Sequence, residues 1–228
     1  LFLLPLVSFA ATVTPMTLPW SSSFGSTAKT FSYDGNDTNI VDNLATVENH
    51  PLAGYLSATA NNPGGTGTMG YQCMIADGLN GNTSPGLGAY FATPQKELWF
   101  RFYVKYPAGF RWSELGWHKW IYLGDAASYN SLVFEPVGDE QLRIISMNSD
   151  VSYYGTGGWK TFWAGGGTAS NGSWHCVEIH VKMDTNNANG IAEYWVDGVK
   201  YLSNTTANFS PDPSTLACLA IWHTRRTC

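Results

Sequence analysis

The chain has 228 residues, enough for one large β domain and short for two, with 13% charged residues, 14% aromatic residues and 24 glycines. That balance argues against disorder and fits a turn-rich β protein with an aromatic surface. A net charge of −5 without any Lys/Arg run argues against nucleic acid as the partner, because there is no overall basic field to neutralise phosphates. An anionic substrate stays open, since only the local potential of a cleft matters there.

The chain opens Leu1-Phe2-Leu3-Leu4-Pro5-Leu6-Val7, apolar but too short to span a bilayer, and Ser8-Phe9-Ala10 follows as a small-x-small pattern. Residues 1–11 read as the remnant of a secretory signal peptide, so the sequence predicts export, no membrane span and one domain over 12–228. In an oxidising compartment Cys73, Cys176, Cys218 and Cys228 become disulfide candidates, with three pairings left open. No Cys/His metal spacing occurs. Short apolar pieces near residues 29–33, 55–60 and 70–74 alternate with turns such as Tyr33-Asp34-Gly35-Asn36-Asp37, the pattern of an antiparallel sandwich.

The run Leu98 to Tyr106 is the most informative strand. Period-two alternation puts Leu98, Phe100, Phe102, Val104 and Tyr106 on one face and Trp99, Arg101, Tyr103 and Lys105 on the other. The first face suits a core; the second, aromatic and cationic, suits a hydroxyl-rich anionic ligand, most simply an acidic polysaccharide. In the next strand His118, Trp120 and Tyr122 share a face, predicted here to join Trp99, Arg101 and Tyr103 along one groove. Strands are expected at 131–135 and 142–147. The glycine-rich stretch 155–172, carrying Trp159 and Trp163, reads as an aromatic loop overhanging that groove. From Trp174 to Tyr201 the alternation and the Asp197-Gly198 turn signal predict a three-stranded meander. Asp184 to Gly190 superficially suggests a calcium loop, but the spacing is wrong for an EF-hand and a plain turn is expected.

These segments together, Glu97 to Lys105, Gly109-Phe110-Arg111-Trp112, Trp117-His118-Lys119, Trp174 to Lys182 and Tyr194 to Gly198, resemble concanavalin A-like jelly rolls. Within them the likeness is to secreted polysaccharide lyases of the heparin lyase I and glucuronan lyase type. The resemblance implies an all-β antiparallel sandwich and β-elimination on a uronate-containing glycan. It also implies a last strand that runs on past Trp222, so the stop at Cys228 is expected to be a truncation.

Elimination needs a cation or amide to neutralise the uronate carboxylate, a base for the adjacent C–H, and an acid for the leaving oxygen. The candidates are Arg101 or Lys105 with Gln72 as the amide alternative, His118 as base, and Tyr103 or Tyr122 as acid. Trp99, Trp120, Trp159 and Trp163 are the candidate sugar-stacking rings. No metal or other cofactor is required, though the sequence leaves room for a structural calcium. The expected partner is a polysaccharide bound by a monomer. A non-catalytic carbohydrate-binding module would use the same aromatic face. A glycoside hydrolase is third, because the paired-carboxylate patterns of hydrolases on this fold are absent and only isolated residues such as Glu135 and Glu178 remain.

Overall fold

A computed structural model describes residues 17–18, 29–31, 40–41, 44–46, 54–58, 69–72, 87–111, 120–125, 128–137, 141–147, 151–165, 167, 169–209 and 215–221. Within them alternating apolar residues fold into strands that run in chain order. These are β1 (Lys29–Phe31), β2 (Ile40–Val41), β3 (Leu44–Thr46), β4 (Gly54–Ala58), β5 (Met69–Gln72), β6 (Leu87–Gln95), β7 (Glu97–Lys105) and β8 (Ile121–Asp125). They continue as β9 (Ser128–Val137), β10 (Gln141–Ser146), β11 (Val151–Tyr154), β12 (Trp174–Lys182), β13 (Gly190–Val196), β14 (Val199–Ala207) and β15 (Leu216–Ile221).

Two sheets form the sandwich. One has eight strands in the order β11-β10-β9-β8-β15-β6-β3-β2, and the other four, β14-β13-β12-β7; β1, β4 and β5 make a separate ladder. Every pairing is antiparallel. The chain crosses between sheets repeatedly: β6 lies in the large sheet, β7 in the small one, β8 to β11 in the large, β12 to β14 in the small, and β15 returns to sit between β8 and β6. This is an antiparallel β-sandwich of jelly-roll type. No helix among the described residues is long and apolar enough to cross a membrane.

The core lies between the sheets. Leu98 of β7 and Val177, Ile179 and Val181 of β12 meet Ile121 and Leu123 of β8, Leu132 and Phe134 of β9, and Leu142 and Ile144 of β10, all buried. At one end an aromatic knot closes it: Trp120, 1% exposed, donates its indole N–H to the Tyr106 hydroxyl and packs against Phe102, Phe134, Trp159 and Phe162 at ring separations of 5.6–5.8 Å.

Two expectations change here. Trp120 precedes β8, and its backbone N–H donates to the Phe134 carbonyl while Ile121 also stands opposite Phe134, so two successive residues turn inward and strict alternation begins only at Tyr122. The glycine-rich stretch does not overhang anything at Trp159. It tightens into a 3₁₀ turn, Trp159–Phe162, whose Trp159 and Phe162 are buried, because rings of that size are worth more inside than over solvent.

The meander forms as its pattern predicts. Asp197 and Gly198 both have positive φ, 51° and 80°, the primed turn that a two-residue hairpin favours. His175 points inward and its Nδ1 meets Asp197 Oδ2 at 2.7 Å, while the Cys176 N–H donates to Asp197 Oδ1 at 2.9 Å, tying the turn to β12. In the β12–β13 connection Asp184 accepts from the N–H groups of Asn187 (2.7 Å) and Phe209 (2.8 Å). Its oxygens serve the backbone of a plain turn.

Close approach makes Gly155 indispensable. A Cβ there would lie 1.8 Å from the Tyr194 hydroxyl, and Tyr194 is fully buried with that hydroxyl donating to the Gly157 carbonyl at 2.8 Å. Gly155→Ala is therefore expected to lower the unfolding free energy by about 1–3 kcal/mol, measured by urea denaturation. An unchanged midpoint would mean that the Tyr194 ring is free to move aside.

Candidate functional site

Alternation in a sandwich leaves two outward faces, one on each sheet, and each carries a polar constellation. On the four-stranded sheet Trp99, Arg101, Tyr103 and Lys105 of β7 all face out. Pairing with β12 sets Tyr103 opposite Cys176, Arg101 opposite Glu178 and Trp99 opposite His180; β13 extends the last two rows with Trp195 and Glu193.

Arg101 donates to Glu178 at 2.9 Å, and this bond and the carboxylate charge raise the guanidinium pKa further. His180 stands between two carboxylates, Nδ1 at 2.9 Å from Glu193 and Nε2 at 2.7 Å from Glu97. Glu193 also accepts from Lys200 at 2.8 Å and the Ser203 hydroxyl at 3.0 Å. Burial alone would raise the Glu193 carboxyl pKa, but the bonds from His180, Lys200 and Ser203 win and hold it below the ordinary range. The Trp99 indole lies flat on His180, centroids 3.8 Å apart at 11°. With both nitrogens engaged and its face covered, His180 is badly placed to take a proton from a substrate.

The eight-stranded sheet holds the second constellation. Arg143 of β10 stands opposite Glu135 of β9 and Tyr154 of β11. Its Nε donates to Glu135 Oε1 at 2.8 Å and Nη2 reaches the same oxygen; Nη1 donates to the hydroxyls of Ser152 and Tyr154, each at 3.1 Å. Burial works to lower the Arg143 pKa, yet the bonds and charge of Glu135 and the bond to Tyr154 leave it raised. Glu135 is buried, and its Oε2 has no hydrogen-bond partner among the described residues, an unsatisfied buried acceptor that asks for a reason. Tyr154 is 45% exposed. Because its oxygen accepts from Arg143, its own O–H is free to donate outward. Tyr122, Val133 and Ile145 form a small buried cluster on this same face.

The predicted single groove therefore divides. Trp99, Arg101, Tyr103 and Lys105 lie on one outer face and Tyr122 on the opposite one, since β7 and β8 belong to different sheets. Trp120 and Trp159 are in the core and present no ring to a sugar. Trp163 is half-buried, with the Lys160 ammonium 5.7 Å from its ring. Gln72 is on β5 opposite Tyr55, and its side chain lies outside the described residues, as does all of His118. Cys176 is a free thiol, so none of the three two-disulfide pairings holds.

Sequence reasoning passed over Arg143 and Tyr154, and took Glu135 only as an isolated carboxylate. The signal was there: a lone charge in the apolar run Leu142-Arg143-Ile144-Ile145 requires a partner, and the preceding strand supplies a carboxylate at the matching hairpin position. Among the described residues no group of three or more His, Cys, Asp or Glu is arranged to hold a metal.

Residues 27–219 match the polysaccharide lyase family. The chain belongs to the polysaccharide lyase family. It is thus a lyase by family. Among solved structures the lyase is similar to an endo-β-1,4-glucuronan lyase from the fungus Trichoderma reesei, with 15% identity over 75% of this chain and 76% of that one and a TM-score of 0.49. An alginate lyase from Chlorella virus shares 17% identity over 81% and 80%, TM-score 0.39. An endo-1,3-β-glucanase from Streptomyces sioyaensis shares 12% over 90% and 81%, TM-score 0.42. No curated protein sequence matches the lyase significantly.

Cys176 gives this lyase a reporter on its four-stranded face. Burial first, then the charge of Glu178, pushes the thiol pKa above its ordinary value. In the folded lyase, iodoacetamide should label Cys176 more slowly at pH ~8 than in the urea-unfolded chain, and the rate should keep climbing above pH ~9. Equal rates in both states would contradict the half-buried placement.

Proposed function

We propose that this lyase is an exported enzyme that cleaves a uronate-containing polysaccharide by β-elimination on the outer face of its eight-stranded sheet. The apolar leader supports export. The observation that carries the chemistry is the 3.1 Å bond from Arg143 Nη1 to the Tyr154 hydroxyl, which turns an exposed phenol into an oriented proton donor.

In the reaction a base removes the proton from the carbon next to the uronate carboxylate, and that electron pair forms the new C=C bond. The bond to the 4-linked oxygen breaks, and the leaving oxygen takes a proton. Tyr154 is the donor in this scheme and Arg143, held by Glu135, fixes its geometry and supplies positive potential toward the carboxylate. The base is assigned to His118 on its sequence position before β8. Tyr103 fits the donor role less well, because the charge of Cys176 and burial both raise its pKa, and Arg101 and Lys105 share its face rather than that of Tyr154.

Tyr154→Phe keeps the ring and removes the proton. It should lower turnover on glucuronan, alginate, heparin or pectate, whichever is cleaved, by about 10²–10⁴, read as ultraviolet absorbance of the unsaturated product. Retained turnover would remove Tyr154 from the reaction. Binding by the wild-type chain with no absorbance on any polymer would instead identify a carbohydrate-binding module, and new reducing ends without absorbance a hydrolase.

A further inference from the structure

We infer that the outer face of the four-stranded sheet is a second glycan site, a docking platform that holds an acidic polysaccharide along β7 away from the site of cleavage. Its floor is unusual in being rigid. Trp99 is 58% exposed, yet its indole is pinned flat on the buried imidazole of His180, which Glu97 and Glu193 hold from both sides. One indole face is spent on His180 and the other is offered to solvent, which is the geometry a pyranose ring needs to stack its C–H groups on a π surface. The cost of ordering the ring has already been met in the free protein, so little is lost on binding.

A second ring continues the floor. Trp195 lies 5.5 Å from Trp99 at 32°, and the Lys200 ammonium stands 4.6 Å from its centroid. From Trp99 to Lys105 the outward row of β7 runs about 20 Å, the length of several sugar units. Among the described residues β7 pairs only with β12, so this row borders an open sheet edge.

The charges leave a cation for an anionic chain at one end of the row. Arg101 is spent on Glu178 and Lys200 on Glu193, while Lys105, exposed at the far end of the row, forms no ion pair among the described residues. Glu97 is 47% exposed beside Trp99, so this face is close to charge-balanced, and Lys105 is the end of the row at which a polyanion's carboxylate can be met. The inference takes only the identity of the ligand from the function proposed above, and it assigns Trp99 to holding rather than to bond breaking.

Native affinity electrophoresis in gels containing glucuronan, alginate, heparin or pectate tests it, using the whole chain carrying Tyr154→Phe, so that the polymer stays uncut, alone and with Trp99→Ala or Trp195→Ala added. Retention by at least one polymer is expected, about tenfold weaker when Trp99→Ala is added and weaker when Trp195→Ala is added. Trp99→Ala should still unfold cooperatively with a modestly lowered thermal midpoint, because the ring's stack on His180 is lost while the core is untouched. Unchanged retention on adding Trp99→Ala, or no retention of the Tyr154→Phe chain by any polymer, would each overturn the platform. Absence of unsaturated product bears on the elimination reading alone, because retention is read without cleavage.

Discussion

Everything in this molecule follows from one contact, the apolar layer in which the inward rows of β7 and β12 meet those of β8, β9 and β10. Burying those rows stabilises the fold by roughly 25 cal/mol per Å² of apolar surface, and they form the larger of the two buried clusters among the described residues. The contact also decides where chemistry can occur. Once Leu98 and Val177 must meet Ile121 and Leu132, their alternate neighbours have to point away from one another. Arg101 and Tyr122 are then committed to opposite sides of the sandwich however suitable their chemistry would be side by side.

Charge is handled differently on the two surfaces. The pair Glu135–Arg143 is buried and gives little net stability, since desolvation offsets much of its Coulomb energy. What it provides is orientation: a guanidinium engaged through Nε and Nη2 cannot swing, so Nη1 presents a fixed direction to Tyr154. On the four-stranded sheet the chain of contacts from Glu97 through His180 to Glu193 does the same for an indole. In both places an exposed group is held by charges beneath it, the arrangement expected where a surface must meet a ligand without reorganising.

Strand interiors were legible in the sequence wherever the alternation was uninterrupted. The two faces of β7, the meander from Trp174 to Tyr201 and the Asp197-Gly198 turn all follow from period two and from turn chemistry. Which sheet a strand joins was not legible, because alternation records a face without naming the partner layer. Trp120 misled for a local reason, two consecutive inward residues opposite Phe134. Trp159 misled because its glycine-rich surroundings look like a surface loop while the ring itself fills the core. Arg143, a lone charge in an apolar run, signals a buried partner in the sequence, and the register of β9 against β10 identifies that partner as Glu135.

The central claim is that holding and cutting occupy separate faces with the core between them, and a double-mutant cycle measures that separation. Polymer affinity should fall by the same factor when Trp99→Ala is introduced into the wild type and into Tyr154→Phe, agreeing to about 0.3–0.5 kcal/mol, as for sites that share no partners. A Trp99→Ala effect that disappears or changes well beyond that margin in the Tyr154→Phe background would show that both residues grip the same stretch of glycan.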